Sequence, residues 1–151
     1  MSALMRQINL ICRCGGAYRS DRLADTELLS FHQSFVFAVC NHPGMSQDAL
    51  ARHLCMNKST VTRRLAFLEE HGYVSRVPSE VDRRVMLVYP TERMQAVLPR
   101  VREVTGEWNN AVTENISEEE LSVFYAVLGR IADNARSLVG LAETNETGAN
   151  E

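Results

Sequence analysis

Residues 57–63 read Asn57-Lys58-Ser59-Thr60-Val61-Thr62-Arg63, and every side chain in the run except Val61 can donate a hydrogen bond. No acid interrupts it; the next acids are Glu69 and Glu70. With Asn57 as N-cap, Val61, Leu65 and Leu68 fall at i, i+4 and i+7 and form the inner stripe of a helix. Lys58, Ser59, Thr62 and Arg63 then lie off that stripe, close to the N-terminus. Free N–H groups and the helix dipole favour a phosphate there. Side chains of these types, so placed, can reach base edges in a major groove. An ordinary amphipathic surface helix shows the same stripe, so the helix does not decide the matter by itself.

A second group, Asp82-Arg83-Arg84, sits between two apolar runs. An Arg on an exposed loop tip can enter a narrow minor groove, where the negative potential is deepest. The Asp two residues away can hold that side chain by a charge-assisted bond. As a solvated turn ion pair alone it would contribute little.

The charge distribution links the two groups. The 151-residue chain has 16 Lys+Arg and 19 Asp+Glu, a net of −3. Residues 50–93 hold eight basic and five acidic side chains, a net of +3, which leaves −6 for the rest. A positive middle on acidic flanks fits a DNA-facing module.

Other chemistries find little support. There is no nucleophile–base arrangement, paired carboxylates or Gly-rich phosphate loop, so no enzyme or cofactor is expected. His32, His42, His53 and His71 are scattered, and no His/Cys/Glu cluster has metal-ligand spacing. Cys40 and Cys55 fall in apolar helical patterns and read as core thiols; Cys12 and Cys14 read as partly buried thiols of a first helix. No apolar run reaches about 18 residues and no secretory leader is evident, so a cytoplasmic protein without membrane contact is expected.

The elements that must position these groups follow from caps and periodicity. A first helix from Leu4 to Tyr18 is weakened by Gly15-Gly16. A second starts at Asp25 or Thr26, runs through Leu28, Leu29, Phe31, Phe35 and Val39, and stops at His42-Pro43-Gly44. Ser46 caps a short third helix, Asn57 the next, and Gly72 closes it, which is a helix-turn-helix pattern. Val74 to Tyr89 reads as a two-stranded hairpin, a wing. Thr91 caps a helix holding Met94, Leu98, Val101 and Trp108, with Pro99 inside it expected to bend it near Gln95. Ser117-Glu118-Glu119-Glu120 is a capping box, followed by Leu121, Phe124, Leu128, Ile131 and Leu138 at helical spacing. The expected fold is mainly α with a small β-wing. A winged helix-turn-helix core at 28–93 is flanked by dimerisation helices at 1–25 and 94–142, and the polar tail 143–151 is expected to be disordered.

In order along the chain, Pro43-Gly44-Met45-Ser46-Gln47, Leu50-Ala51, Asn57 to Arg63, Leu68-Glu69-Glu70-His71-Gly72-Tyr73-Val74, Asp82-Arg83-Arg84 and Thr91-Glu92 resemble the MarR (multiple antibiotic resistance regulator) family. The resemblance covers about 28–140, with its specific motifs in 43–93. It implies a homodimeric transcriptional regulator, a repressor, on a pseudo-palindromic double-stranded DNA operator. In this resemblance the second helix of the motif reads the major groove, Arg84 matches the wing Arg of the minor groove, and Asp82 is its partner. First and last helices form the dimer interface, and a small aromatic or phenolic effector binds between the two parts. Tyr18, His32, Phe35 and Trp108 are the candidate pocket residues. The chain departs from the family at Pro90, where Leu is usual, at Met94, and at Gly15-Gly16, which interrupt a first helix that is usually continuous. Two alternatives stand beside this reading: a thiol-based redox sensor on the same fold using Cys12 or Cys14, and an interaction protein that kept the fold without DNA. Lys58, Thr62, Arg63 and Arg84 argue against the second.

Overall fold

A computed structural model describes residues 3–140; the expected tail at 143–151 lies outside the described residues. The order is α1 (Ala3–Arg22), two 3-10 turns (Ala24–Thr26 and Ser30–His32), α2 (Gln33–Asn41), β1 (Met45–Ser46), α3 (Gln47–His53), α4 (Lys58–Glu70), β2 (Val74–Pro78), β3 (Met86–Pro90), α5 (Glu92–Val112) and α6 (Glu118–Leu138). The fold is mostly helical with one small antiparallel sheet, ordered β1-β3-β2. Met45, Val88 and Arg76 form one row across it.

The chain divides into two compact units, residues 1–112 and residues from Thr113 onward. The first unit holds the core. Phe35, Val36 and Val39 of α2, Leu50 of α3, Val61, Leu65 and Leu68 of α4, Val88 of β3, and Met94, Val101 and Val104 of α5 are buried together. The apolar stripe of α4 is thus the inner face that the sequence pattern requires. In the second unit, α6 starts from the expected box: Ser117 Oγ accepts from Glu120 N at 3.3 Å, and Ser117 N donates to Glu120 Oε2 at 2.9 Å. None of its residues is buried, and Phe124 is 52% exposed.

The structure corrects the expected elements in three places. First, α1 runs unbroken through Gly15-Gly16 to Arg22. Gly15 is buried because α5 comes close: a Cβ there would lie 3.1 Å from Trp108 Cε2. The glycine admits an indole at a cost in helix propensity. Second, the second helix begins at Gln33, not at Asp25 or Thr26. Thr26 Oγ1 donates to Leu23 O at 2.7 Å and accepts from Leu28 N at 3.2 Å, and Glu27 takes φ +61. A local side-chain turn has displaced the helix. Third, β1 is an extra strand, two residues long, laid against β3. Caps at Ser46 and Asn57 and closure at Gly72 (φ +72) are as expected. α5 continues through Pro99 as one helix.

Candidate nucleic-acid interface

The N-terminus of α4 is built by its cap. Asn57 Oδ1 accepts from Thr60 N at 2.8 Å and from Ser59 Oγ at 3.0 Å. Thr62 Oγ1 donates to Lys58 O at 2.9 Å, which ties it to the preceding turn. Lys58, Ser59, Thr62 and Arg63 are exposed, whereas Thr60 is half-buried. Lys58 Nζ meets Asp48 Oδ2 of α3 at 2.7 Å, in solvent. Among the described residues Arg63 has no hydrogen bond or ion pair. The outer first turns of α4 therefore present two cations and three hydroxyls or amides next to free helix N–H groups.

The wing carries the second group. Val85 N donates to Asp82 O at 2.9 Å, closing the turn between β2 and β3. Arg84 Nε and Nη2 donate to Asp82 Oδ1 and Oδ2, both at 3.0 Å, and Arg84 N donates to Oδ1 at 3.0 Å. This fork holds the Asp82 carboxyl below its ordinary range and the guanidinium above its own. The Arg84 side chain is nonetheless 91% exposed. Arg83 and Val81 stand beside it in solvent. An oriented, water-exposed Arg on a hairpin and a donor-rich helix N-terminus thus occur on one module.

Comparison with known proteins reaches the same module. The MarR family model matches residues 36–86, which span α2 to the start of β3. Over that stretch the chain is similar to the MarR family. It is 23% identical over 134 residues to YybA of Bacillus subtilis, described as an uncharacterized HTH-type transcriptional regulator, covering 89% of each chain. It is 36% identical over 87 residues to the HTH-type transcriptional regulator PecS of Dickeya dadantii, covering 58% of this chain and 52% of PecS. The chain therefore spans about half the length of PecS. Among solved structures, a MarR-family regulator from Listeria monocytogenes complexed with a 26mer DNA has a TM-score of 0.85 at 19% identity, covering 99% of this chain and 100% of that one.

Several arginines of this module turn out to be structural. Arg64 of α4 lies over the Phe31 ring at 4.4 Å and reaches Met56 Sδ at 3.5 Å. Arg93 of α5 donates to His71 O at 2.6 Å and to Glu27 at 2.8 Å, and lies over Tyr73 at 4.6 Å. Arg76 of β2 is clamped to Glu69 of α4. The charge count treats all three as part of a basic face. Only Arg64 could have been set apart from the sequence, because it follows the buried Val61 by three residues and falls beside the inner stripe.

The four candidate pocket residues occupy different surroundings. Phe35 is core. Tyr18 and Trp108 meet at 5.5 Å between α1 and α5, and Tyr18 Oη donates to Glu107 Oε2 at 3.1 Å. His32 is buried, stacked on Phe67 at 4.7 Å, and its Nδ1 accepts from Leu29 N at 3.2 Å. Burial lowers its pKa to about 4, helped by the charges of Arg64 and His71. His32, Phe31, Phe67, Thr60, Arg63 and Arg64 line a surface cleft of about 250 Å³ that neither Tyr18 nor Trp108 borders.

The thiols also differ from expectation. Cys12 and Cys14 are both exposed on α1. Cys55 is exposed in the α3–α4 turn at φ +51, because the apolar pattern around it belongs to two helices and not one. Cys40 alone is half-buried, and burial pushes its thiol up.

Proposed function

We propose that this chain is a sequence-specific DNA-binding transcriptional regulator that acts as a homodimeric repressor in the cytoplasm. The observation that carries the reading is the acid-free, exposed N-terminal face of α4, with Lys58, Ser59, Thr62 and Arg63, on a module whose wing holds Arg84 out in solvent. Asn57 and Thr60 build that face as its cap. The α4 donors read base edges in the major groove, and Arg84, with Arg83 beside it and Asp82 orienting it, enters the minor groove. The DNA complex of the Listeria relative supports the reading.

Homodimer formation rests on exposed apolar side chains of the outer helices. In α1 these are Leu4, Met5, Leu10 and Ile11; in α6 they are Val123, Phe124, Tyr125, Val127 and Leu138, of which Phe124, Val127 and Leu138 share one face. Exposed apolar side chains sharing a helix face mark an interface. A two-fold dimer in turn requires a pseudo-palindromic operator. A small aromatic or phenolic effector modulates binding in this reading. Thermal-shift screening of phenolic acids, followed by DNA release, tests that part.

The main experiment is selection of duplexes from a random-sequence pool by the wild-type protein. The expected product is an inverted repeat, bound more weakly by Arg63→Ala and Arg84→Ala. Enrichment of no duplex would overturn the DNA reading in favour of an interaction protein on the same fold. A monomer in light scattering at micromolar concentration would remove the dimer.

A further inference from the structure

Arg76 stands at the base of the wing, in the sheet row that runs Met45, Val88, Arg76. Its side chain ties β2 to two other elements. Nε and Nη2 donate to Glu69 Oε2 near the end of α4, at 3.0 and 2.5 Å. Its backbone N donates to the other oxygen, Glu69 Oε1, at 3.2 Å. Nη1 donates to Gln47 Oε1, on the first residue of α3, at 3.1 Å. Arg76 is largely covered, at 20% exposure, and Glu69 partly so, at 39%. The guanidinium holds the Glu69 carboxyl below its usual range against the opposing effect of burial.

The joint that this contact spans is short. Only His71, Gly72 and Tyr73 separate α4 from β2, and Gly72 turns the chain at φ +72. The wing is a hairpin whose inner edge is held by the two-residue β1. A rotation at Gly72 would change the angle between α4 and the wing tip, where Arg84 is carried. Glu69 holds both the backbone and the side chain of Arg76, so it resists that rotation directly.

We propose that the Glu69–Arg76–Gln47 contact is a positioning clamp that sets the wing at a fixed angle to α4, so that both elements can engage one DNA site together. Arg76 is then a strut and not a phosphate contact, since its charge is already matched. The clamp rests on the DNA-binding reading above. It deepens that reading by assigning the coupling between groove contacts to a residue pair that touches no DNA.

The informative variant is Glu69→Gln, because it separates the clamp from simple electrostatics by sign. Removing an acid beside a DNA-facing surface should tighten binding to all duplexes if only net charge matters. The clamp requires the opposite for a specific site. The probes are the duplex selected by wild-type protein and a scrambled duplex of the same composition. Expected results are at least about threefold weaker binding of the selected duplex, in the range of coupling between contacting residues, with the scrambled duplex unchanged or slightly tighter. In an Arg84→Ala background most of that loss should disappear, because there is no wing contact left to misplace. A merely structural role would give the same loss in both backgrounds. Arg76→Gln serves as the second variant, and its melting curve reports whether it folds. Equal or tighter binding of the selected duplex by Glu69→Gln, or an undiminished loss beside Arg84→Ala, overturns the clamp while leaving the DNA reading intact. Failure of the wild-type protein to select any duplex overturns both.

Discussion

Gly15→Ala and Gly16→Ala make the same chemical change one position apart in one helix, and only the second should stabilise. Each gains about 0.8–1 kcal/mol of helix propensity. They differ in what the new methyl meets. At Gly16 its nearest neighbour is Ser30 Oγ at 3.6 Å, an ordinary contact. At Gly15 it would stand 3.1 and 3.2 Å from Trp108 Cε2 and Cζ2, and 2.9 Å from Arg19 Nη1. The Arg19 terminus can swing aside. The indole is held next to Tyr18 at 5.5 Å and must shift with it. Overpacking of this kind costs about 1–3 kcal/mol. Gly16→Ala should therefore stabilise by up to about 1 kcal/mol, and Gly15→Ala should range from neutral to about 2 kcal/mol destabilising. A gap of at least about 1 kcal/mol corresponds to roughly 2–4 °C for a chain of this size. Thermal unfolding by far-UV circular dichroism reads it, at one fixed protomer concentration because association shifts Tm. Adding Trp108→Leu should shrink the Gly15→Ala penalty. If Gly15→Ala raises Tm as much as Gly16→Ala does, α5 does not press on α1 in the way described.

His32 titrates near 4 when folded and near 6.5 when unfolded. The folded state thus binds fewer protons between those values. The contribution is complete above pH 6.5 and is lost as pH falls towards 4, at most about 3 kcal/mol. Urea midpoints at pH 7 and 4.5 should differ less for His32→Gln than for wild type; equal differences would reject the buried neutral imidazole. Asp82→Ala removes an acid from the proposed interface yet should weaken binding of the selected duplex, because it frees Arg84; tighter binding would end the orienting role of Asp82. Arg84→Ala should flatten the salt dependence by up to ~0.9 in log–log slope for each phosphate charge lost, and an unchanged slope would place that guanidinium off the phosphates. Peroxide should release DNA equally from wild type and from the Cys12→Ser, Cys14→Ser variant, and release confined to wild type would promote thiol sensing.

The parts legible in the sequence were those written in local chemistry. Ser46, Asn57, Thr91 and Ser117 are caps, and each helix start they mark is in place within a residue or two. The stripe Val61, Leu65, Leu68 marked the inner face of α4. What was not legible depends on contacts distant in sequence. Nothing near Thr26 announces that Tyr73, 47 residues on, will donate to its carbonyl and hold the segment out of a helix. Gly15 reads as a breaker until Trp108 is placed against it. For the proposed interface, residue types located α4 and the wing, but they could not separate arginines that face solvent from arginines already in use. That distinction needs the tertiary partners of Arg64, Arg76 and Arg93.

Exposure decides which of these charges are available to DNA on the proposed reading. Lys58–Asp48 and Arg84–Asp82 are ion pairs in water, with Lys58 72% exposed. A phosphate can replace Asp48 on Lys58 with little loss, while Arg84 keeps Nη1 and one Nη2 proton outside the Asp82 fork, open to DNA with Asp82 still in place. Arg63, Arg83 and Arg52 have no partner to give up among the described residues. Arg76 is different: Glu69 and Gln47 together occupy its donors in a partly covered site, and releasing it would break four hydrogen bonds, one of them from its backbone N. The net +3 of residues 50–93 is therefore a poor measure of what DNA would meet. The usable positive surface consists of side chains with weak or absent partners, and the strongly paired arginines keep those side chains in register.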